Sequence, residues 1–74
     1  MQMRDFLIDE IYKIANNDKD VILISNEQGA KSLDKFRKDL PNQFINAGIS
    51  EQNIISVAAG LSKFKKKVFV YSIS

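Results

Sequence analysis

The sequence predicts a three-layer α/β fold in which helices cover both faces of a mainly parallel sheet. Helix-like and strand-like segments alternate along the 74 residues, in the order helix, strand, short helix, short strand, helix, strand. Such alternation is typical of parallel strands, because each strand needs a crossover connection to reach the next. Two of the strand-like segments are continuous apolar runs, which indicates strands that are buried on both faces.

The composition excludes several classes of function. Hydrophobic residues make up 45% and charged residues 27% of the chain, which is ordinary for a globular protein. A formal net charge of +2 is too small to indicate a nucleic-acid partner. The absence of cysteine and histidine removes disulfides, thiolate metal sites and the commonest general base. Neither a bilayer-spanning apolar run nor a signal peptide is evident, so we expect no membrane partner and a cytoplasmic protein.

The first element is predicted to be an amphipathic helix over residues 3 to about 16. Its apolar residues recur at i, i+4, i+7 and i+8, which is the spacing of one helix face. The core-facing stripe is predicted to contain Leu7, Ile11, Ile14 and Ala15, widened by Phe6, Ile8 and Tyr12. Asn16 and Asn17 follow as a helix stop, because asparagine tolerates the left-handed conformation at a helix end.

A continuous apolar run over residues 21–24 predicts a strand that is buried on both faces. Residues 25–30 follow as a loop at the carboxyl end of that strand, where ligands bind in open α/β sheets. Glu27 and Gln28 in this loop are therefore secondary candidates for a binding site. From position alone, a solvated loop is the simpler interpretation of the same two residues.

Residues 32–40 are predicted to form a short helix that packs through Leu33 and Phe36. Ser32 is the expected N-cap, because its hydroxyl can accept a hydrogen bond from a backbone N–H of the first turn. Pro41 closes this helix, since the residue before a proline avoids the helical region of backbone conformation.

A third helix is predicted from about residue 51 to residue 63, after a short strand over residues 44–46 and a glycine turn. Ser50 is its expected N-cap, and residues 54–61 are apolar nearly all round, which predicts a buried helix. Glu51 lies in the first turn, where a carboxylate complements the helix dipole by about 0.3–1 kcal/mol. On position alone, that structural role is the simpler interpretation of Glu51.

The last element is predicted to be a second buried strand over residues 68–71, after a solvated basic turn over residues 63–67. Three strands do not make a closed domain, and the long apolar helix has too little of this chain to bury it. We therefore expect residues 1–74 to be an incomplete domain, whose exposed apolar faces are covered by further sequence or by a partner.

Three segments of the sequence closely resemble the pyrimidine-binding domain of the transketolase family, which are thiamine-diphosphate enzymes. The segments are residues 44–53, 58–61 and 67–72, and the resemblance is most specific between Phe44 and Leu61. Residues 21–29 also resemble the first strand and the Asp-Leu-Gly loop of that family. The resemblance implies that the chain is the N-terminal part of such a domain, as in the C-terminal subunit of a split transketolase.

The resemblance also implies roles for individual residues. In the family, the glutamate matching Glu51 hydrogen-bonds N1′ of the cofactor's aminopyrimidine ring and favours the imino tautomer, whose nitrogen removes the proton from thiazolium C2. Glu51 is thus implied to be both catalytic and cofactor-binding, with a raised pKa in the assembled site, because the neutral carboxyl donates to N1′. Glu27 and Gln28 are implied to be further cofactor contacts, at positions where the family has Asp and Leu.

The same resemblance implies that this chain supplies only part of a composite site. In the family, the diphosphate and its Mg²⁺ are bound by a separate domain that faces this one across a dimer interface. The implied partners are therefore a diphosphate-binding domain or subunit and a sugar phosphate substrate, in an oligomer. The aromatic residue that stacks on the pyrimidine is expected beyond Ser74, so we expect this chain alone to be inactive.

Two other functions remain open at this point. The β subunit of a 2-oxo acid dehydrogenase shares the same domain and the same glutamate, and its substrate would distinguish it from a transketolase. A non-catalytic α/β interaction module would account for Glu27 and Gln28 and for the missing aromatic residue. Cofactor binding in the presence of a diphosphate-domain partner would separate this module from both enzymes.

Overall fold

The computed structural model describes residues 3–26, 31–46 and 51–71, including all of their side chains except those of residues 51–56. The elements are α1 (Met3–Asn17), β1 (Val21–Ser25), α2 (Lys31–Asp39), a 3-10 turn (Pro41–Gln43), β2 (Phe44–Asn46), α3 (Glu51–Ser62) and β3 (Lys67–Tyr71). Each predicted helix and strand is present, and each end lies within one residue of its predicted position. None of the helices in the described segments is long and apolar enough to cross a membrane.

The three strands form one parallel sheet in the order β2-β1-β3, with β1 at the centre. The two registers place Ser25, the last residue of β1, beside Asn46 on one side and Tyr71 on the other. This arrangement confirms the predicted α/β class and the parallel sheet. The carboxyl ends of all three strands therefore lie along one edge.

Successive residues of β1 point to opposite faces of the sheet, and all five are buried. The first face packs on α1 and α2, and its buried cluster consists of Ile8, Ala15, Val21, Leu23, Leu33 and Phe36. The second face packs on α3, and its cluster consists of Ile22 and Ile24 with Ile45, Val57, Ala58, Leu61 and Val68 against them. Helices on both faces of the sheet confirm the three-layer architecture.

The predicted stripe of α1 is rotated in the structure. Ile8 and Ala15 are buried, whereas Leu7 and Ile14 are 45% and 46% exposed. The prediction is confirmed at Ile11 and Ala15, and the core-facing line runs on the side of Ile8 and Tyr12 and not on that of Leu7 and Ile14. Tyr12 packs edge-on against the ring of Phe36 on α2, at 6.0 Å between ring centroids.

The predicted N-cap of α2 is also wrong. The helix begins at Lys31, so Ser32 lies inside its first turn. The hydroxyl of Ser32 donates a hydrogen bond of 2.8 Å to Asp5 Oδ1 and thereby joins α2 to α1. The apolar face of α2 is as predicted, since Leu33 and Phe36 are both fully buried.

The last strand is not buried as predicted, because the strand order places β3 at an edge of the described sheet. Phe69 and Val70 are 36% and 48% exposed. The described side chains of α3, from residue 57 to residue 62, are half-buried or exposed, because a single sheet face covers them. The predicted N-cap Ser50 and the side chains of Ile54 and Ile55 lie outside the described residues.

Gln43 is a buried hydrogen-bond donor that joins three elements at the amino end of β1. Its side-chain amide donates to the backbone oxygens of Ala15 at 2.8 Å, Asp18 at 2.9 Å and Val21 at 3.1 Å. An amide nitrogen carries two hydrogens, so one of them is shared between two acceptors. The side chain therefore donates to three carbonyls. One is in the last turn of α1, one is in the turn that follows α1, and one is on the first residue of β1.

Ion pairs join the amino ends of β1 and β3. Lys67 Nζ lies 2.7 Å from Asp18 Oδ2, and Lys66 Nζ lies 3.3 Å from Asp20 Oδ1. The hydrogen bond from Lys67 lowers the pKa of Asp18, and the hydrogen bond to Asp18 raises the pKa of Lys67. The predicted solvated basic turn is therefore partly engaged in ion pairs with the turn before β1.

After α3, the backbone passes through one residue in the left-handed helical conformation. Lys65 has a φ of 62°, and its N–H donates to the carbonyl of Ser62 at 3.1 Å. The N–H of Lys66 donates to the carbonyl of Leu61 at 3.3 Å, which completes a Schellman motif. Glycine is the residue that this position favours, because any Cβ is strained in the left-handed region.

Replacing Gln43 by leucine should lower the free energy of unfolding by about 0.5–1.5 kcal/mol, because three carbonyl oxygens then lose one hydrogen bond each, although those of Ala15 and Asp18 keep a backbone donor. Asn42→Ala changes an exposed neighbour in the same 3-10 turn and should stay within about 0.5 kcal/mol of the parent. Urea unfolding of both variants measures the difference. Equal midpoints for Gln43→Leu and the parent would show that water replaces the amide at no loss.

The pairing of Asp18 with Lys67 should give a pH-dependent contribution to stability. The lowered pKa of Asp18 means that its contribution is present above its ordinary value of 3.8 and is lost as pH falls through the folded-state pKa. The raised pKa of Lys67 means that its contribution is present below 10.5 and is lost as pH rises through its folded-state pKa. Asp18→Asn should therefore lower the thermal midpoint at pH 7, and the difference from the parent should shrink at strongly acidic pH.

Lys67→Gln tests the same ion pair from the other side, with Lys63→Gln as a control that removes one charge from the same exposed turn. Only Lys67→Gln should lower the thermal midpoint at neutral pH, because Lys67 is the partner of Asp18. A midpoint difference for Asp18→Asn that stays constant from pH 7 to strongly acidic conditions would contradict this account.

Lys65→Gly should raise the free energy of unfolding by about 0.5–1 kcal/mol, because glycine adopts the left-handed conformation without the strain of a Cβ. Lys63→Gly removes the same charge two residues earlier, where φ is not positive, and should lower stability instead. Chemical unfolding distinguishes the two. A loss of stability in both variants would argue against backbone strain at residue 65.

Candidate functional site

The candidate site lies along the carboxyl edge of the parallel sheet. The three strands end there at Ser25, Asn46 and Tyr71, which share one register row. In open α/β sheets, the space outside the carboxyl ends of the strands is where ligands bind. Both segments that carry the predicted site residues follow strands that end at this edge.

The helix α3 begins with Glu51, five positions after β2 ends at Asn46. The described part of α3 packs back on Ile22 and Ile24, on the sheet face opposite α1 and α2. The start of α3 therefore belongs to the connection that leaves the carboxyl edge. The side chain of Glu51 lies outside the described residues, so the structure locates the backbone of this residue and not its carboxylate.

Glu27 and Gln28 both lie outside the described residues. The strand that leads into their segment is β1, which is central in the sheet and ends at Ser25. The segment that contains Glu51 follows the neighbouring strand β2. Because β1 and β2 are adjacent in the sheet, the two candidate segments follow neighbouring strands. The sequence alone could not establish this adjacency.

The electrostatics of the helix start favour a negative charge. The first turn of a helix carries unpaired backbone N–H groups and the positive end of the helix dipole. A carboxylate on the first residue of α3 is stabilised there by about 0.3–1 kcal/mol when it is exposed to solvent. This field acts on Glu51 whether the residue has a structural or a catalytic role.

Polar residues at the end of the sheet were not predicted to belong to the site. The row below Ser25 contains Ile24, Ile45 and Val70, and all three of these residues are apolar. In the next row, the residue of each of the three strands carries a polar group. Ser25 is fully buried there, Tyr71 is half-buried and Asn46 is exposed.

Sequence reasoning missed this row because its members are far apart in the chain. Residues 25, 46 and 71 become neighbours only through the two parallel registers. One signal was available, since each of the three residues is the first polar or hydroxyl-bearing residue after an apolar run. Ser25 and Asn46 both have interaction partners in the structure.

Two other features were tested as sites. No group of three or more histidine, cysteine or acidic side chains is placed to hold a metal ion among the residues that the structure describes. An open groove between α1 and α2 is lined by Phe6, Asp9, Glu10, Tyr12, Lys13 and Lys35. None of the predicted site residues lines this groove, so it is separate from the carboxyl edge.

Comparison with known proteins identifies relatives among sugar-metabolising enzymes. The chain is 38% identical over 68 residues to one subunit of the apulose-4-phosphate transketolase of Phocaeicola vulgatus, a match that covers 90% of this chain and 22% of that protein. It is 30% identical over 73 residues to a 6-deoxy-6-sulfo-D-fructose transketolase subunit of a Clostridium species, covering 97% of this chain and 23% of that protein.

A third relative has a different named activity. The chain is 37% identical over 70 residues to the 1-deoxy-D-xylulose-5-phosphate synthase of Macrococcus caseolyticus, a match that covers 90% of this chain and 11% of that protein. No family model matches the chain, and no solved structure matches it.

The matches cover nearly the whole of this chain but only a small part of each relative. The chain spans 22% and 23% of the two transketolase subunits, or less than a quarter of their length. The parallel sheet and its three-layer packing agree with the fold class that the resemblance implied. By sequence similarity over at least nine-tenths of its length, the chain belongs to the transketolase family.

Proposed function

We propose that the chain is part of a thiamine-diphosphate-dependent subunit that transfers a two-carbon ketol unit between sugar phosphates. In this proposal residues 1–74 are an incomplete pyrimidine-binding domain. The observation that carries the proposal is the start of α3 at Glu51, on the connection that leaves the carboxyl edge of a parallel sheet. The similarity to transketolase subunits gives that glutamate a specific chemical role to be tested.

The described edge fits the pyrimidine end of the cofactor better than its diphosphate end. A ring with polar nitrogens needs a few hydrogen-bonding groups in an otherwise apolar wall. At the carboxyl edge, the exposed Asn46 and the half-buried Tyr71 are polar side chains next to the apolar rows of the sheet, and Ser25 is fully buried between them. The diphosphate and its Mg²⁺ are assigned in this proposal to a partner domain or subunit.

Glu51 would act through a hydrogen bond to the pyrimidine ring. When bound, thiamine diphosphate supplies the nucleophilic carbon that accepts the two-carbon unit. The neutral carboxyl of Glu51 would donate a hydrogen bond to ring nitrogen N1′, and that contact would favour one orientation and one tautomer of the ring. Glu51 must be covered from water for its neutral form to persist at neutral pH, because desolvation disfavours the carboxylate.

Glu27 and Gln28 are proposed as further contacts to the cofactor. They follow β1, the strand adjacent to the one that leads to Glu51. A glutamate and a glutamine offer one charged and one neutral hydrogen-bonding group on this side of the proposed site. Their contribution would be to orient the ring rather than to move the proton.

The names of the relatives favour a sugar over a 2-oxo acid as the substrate. Apulose 4-phosphate and 1-deoxy-D-xylulose 5-phosphate are phosphorylated sugars, and 6-deoxy-6-sulfo-D-fructose carries a sulfo group instead. Two relatives are named as subunits, which supports a partner chain that completes the enzyme. We propose that the assembled enzyme is an oligomer, that it works in the cytoplasm, and that residues 1–74 alone do not catalyse the reaction.

The complete subunit that contains this region, reconstituted with its diphosphate-binding partner, is the system in which to test Glu51. Glu51→Gln and Glu51→Ala should lower kcat for ketol transfer by about 10²–10⁴-fold, the range expected for loss of a proton-transfer group. Glu10→Gln is the matched control, because Glu10 lies on α1 and pairs with Lys13. Steady-state kinetics with excess thiamine diphosphate separates lost chemistry from lost binding.

Each alternative has its own outcome in that experiment. Unchanged turnover in both Glu51 variants would remove Glu51 from the mechanism. Turnover of a 2-oxo acid without any ketol transfer would favour the dehydrogenase subunit. Failure of the unmodified assembly to bind thiamine diphosphate would favour the non-catalytic interaction module.

A further inference from the structure

The turn between α3 and β3 exposes an aromatic ring. Phe64 is 77% exposed, which is the largest exposed fraction among the large apolar residues that the structure describes. Single exposed apolar residues are common on protein surfaces and carry no meaning by themselves. Two features of the turn, its fixed backbone and its charge, distinguish Phe64 from such a residue.

The backbone of this turn is held by hydrogen bonds. The N–H groups of residues 63–67 all donate, the first four to carbonyls of α3 and the last to the carbonyl of Asp20 at 2.8 Å. The N–H of Phe64 itself donates to Leu61 at 3.0 Å. The ring therefore stands on a fixed support, and a partner that buries it does not have to order the turn first.

The residue after Phe64 is a lysine in a conformation that favours glycine. Lys65 has a φ of 62°, where any Cβ is strained. Its side chain is exposed and makes no hydrogen bond or ion pair with the residues that the structure describes. A strained residue whose side chain does nothing for the described fold is a reason to look for a function outside it.

The surface around Phe64 is positively charged. Lys63 and Lys65 flank it in the chain, both are exposed, and neither is paired with an acidic group among the described residues. Lys66 and Lys67 are already paired with the two aspartates of the turn before β1. The two unpaired lysines therefore leave an excess of positive charge on either side of the ring. This surface lies at the amino end of the sheet, opposite to the candidate site.

We propose that Phe64, Lys63 and Lys65, which we call the Phe64 surface, form a docking point for an acidic segment of a partner protein. Apolar side chains of the partner cover the ring, and carboxylates beside them pair with the two lysines. Charge complementarity is the reason for an acidic partner. A fixed aromatic residue between charged neighbours is also typical of an interface hot spot. The inference does not depend on the proposed function.

A polypeptide fits the Phe64 surface better than a nucleic acid or a lipid bilayer does. Binding of a nucleic acid draws on many basic residues, and the formal net charge of the chain is only +2. Stable attachment to a bilayer needs a broad apolar face or two separate anchors, and this surface offers one ring. Carboxylates, by contrast, already pair with the neighbouring lysines of the same turn.

The test uses the complete subunit that contains this region and a dye-labelled probe peptide, Glu-Glu-Leu-Leu-Glu-Glu. Fluorescence anisotropy gives the Kd of the peptide at low and at high salt. The variants are Phe64→Ser, Lys63→Gln and Lys65→Gly. The matched controls are Phe6→Ser and Lys13→Gln, which remove an exposed ring and an exposed charge from α1 instead.

Phe64→Ser should raise the Kd of the peptide by about tenfold or more, because burial of the ring is lost. Lys63→Gln and Lys65→Gly should each raise it by about two- to fivefold, and added salt should weaken binding by the parent. Lys65→Gly is the most informative variant, because it should weaken binding while it raises the free energy of unfolding. Both controls should stay within about twofold of the parent.

The inference is overturned if Phe64→Ser and Lys65→Gly bind the peptide as the parent does, or if the controls on α1 lose as much affinity as they do. It is also overturned if Phe64→Cys in the complete subunit reacts with a thiol reagent only after unfolding, because the rest of the subunit then covers the ring. Binding of phosphatidylserine vesicles or single-stranded DNA that Phe64→Ser abolishes, without binding of the peptide, would assign the surface to a lipid or a nucleic acid instead.

Discussion

Burial of β1 on both of its faces is the constraint on which the rest of the described structure depends. Its five residues are all buried, and its alternating side chains require a helical layer on each side. At about 25 cal/mol per Å² of apolar surface, covering such a strand is the main stabilising contribution available to so short a chain. The helices α1 and α2 cover one face and α3 covers the other, while β2 and β3 satisfy the backbone groups of β1.

The stabilising polar contacts and the candidate site lie at opposite ends of that strand. The three hydrogen bonds of Gln43 and the ion pair of Asp18 with Lys67 lie at the amino ends of the strands. The polar row and the start of α3 belong to the carboxyl end. Substitutions at the carboxyl end therefore leave the hydrogen bonds of Gln43 and the ion pair at the amino end in place.

Local patterns predicted the elements well, because helix and strand signals depend on residues that are close in the chain. They failed where a neighbour from elsewhere decides the outcome. The buried residues of α1 are those that meet β1 and α2, and β3 is exposed because the strand order puts it at an edge. For the candidate site, a local motif in the sequence predicted Glu51. The sequence could not predict the polar row, because Ser25, Asn46 and Tyr71 become neighbours only through the registers of the strands.

The charge state proposed for Glu51 explains why chemistry should require the assembled enzyme. The helix dipole favours the carboxylate by about 0.3–1 kcal/mol at an exposed helix start, which is less than one pKa unit of about 1.36 kcal/mol. Full desolvation can raise the pKa of a carboxyl group by up to about 3–5 units, so a partner that covers the carboxyl edge outweighs the dipole. At an uncovered helix start, the dipole and the solvent both favour the carboxylate form of a glutamate side chain. Under the proposed function, the neutral form that donates to the pyrimidine would therefore require a second domain and the cofactor to exclude water from the edge.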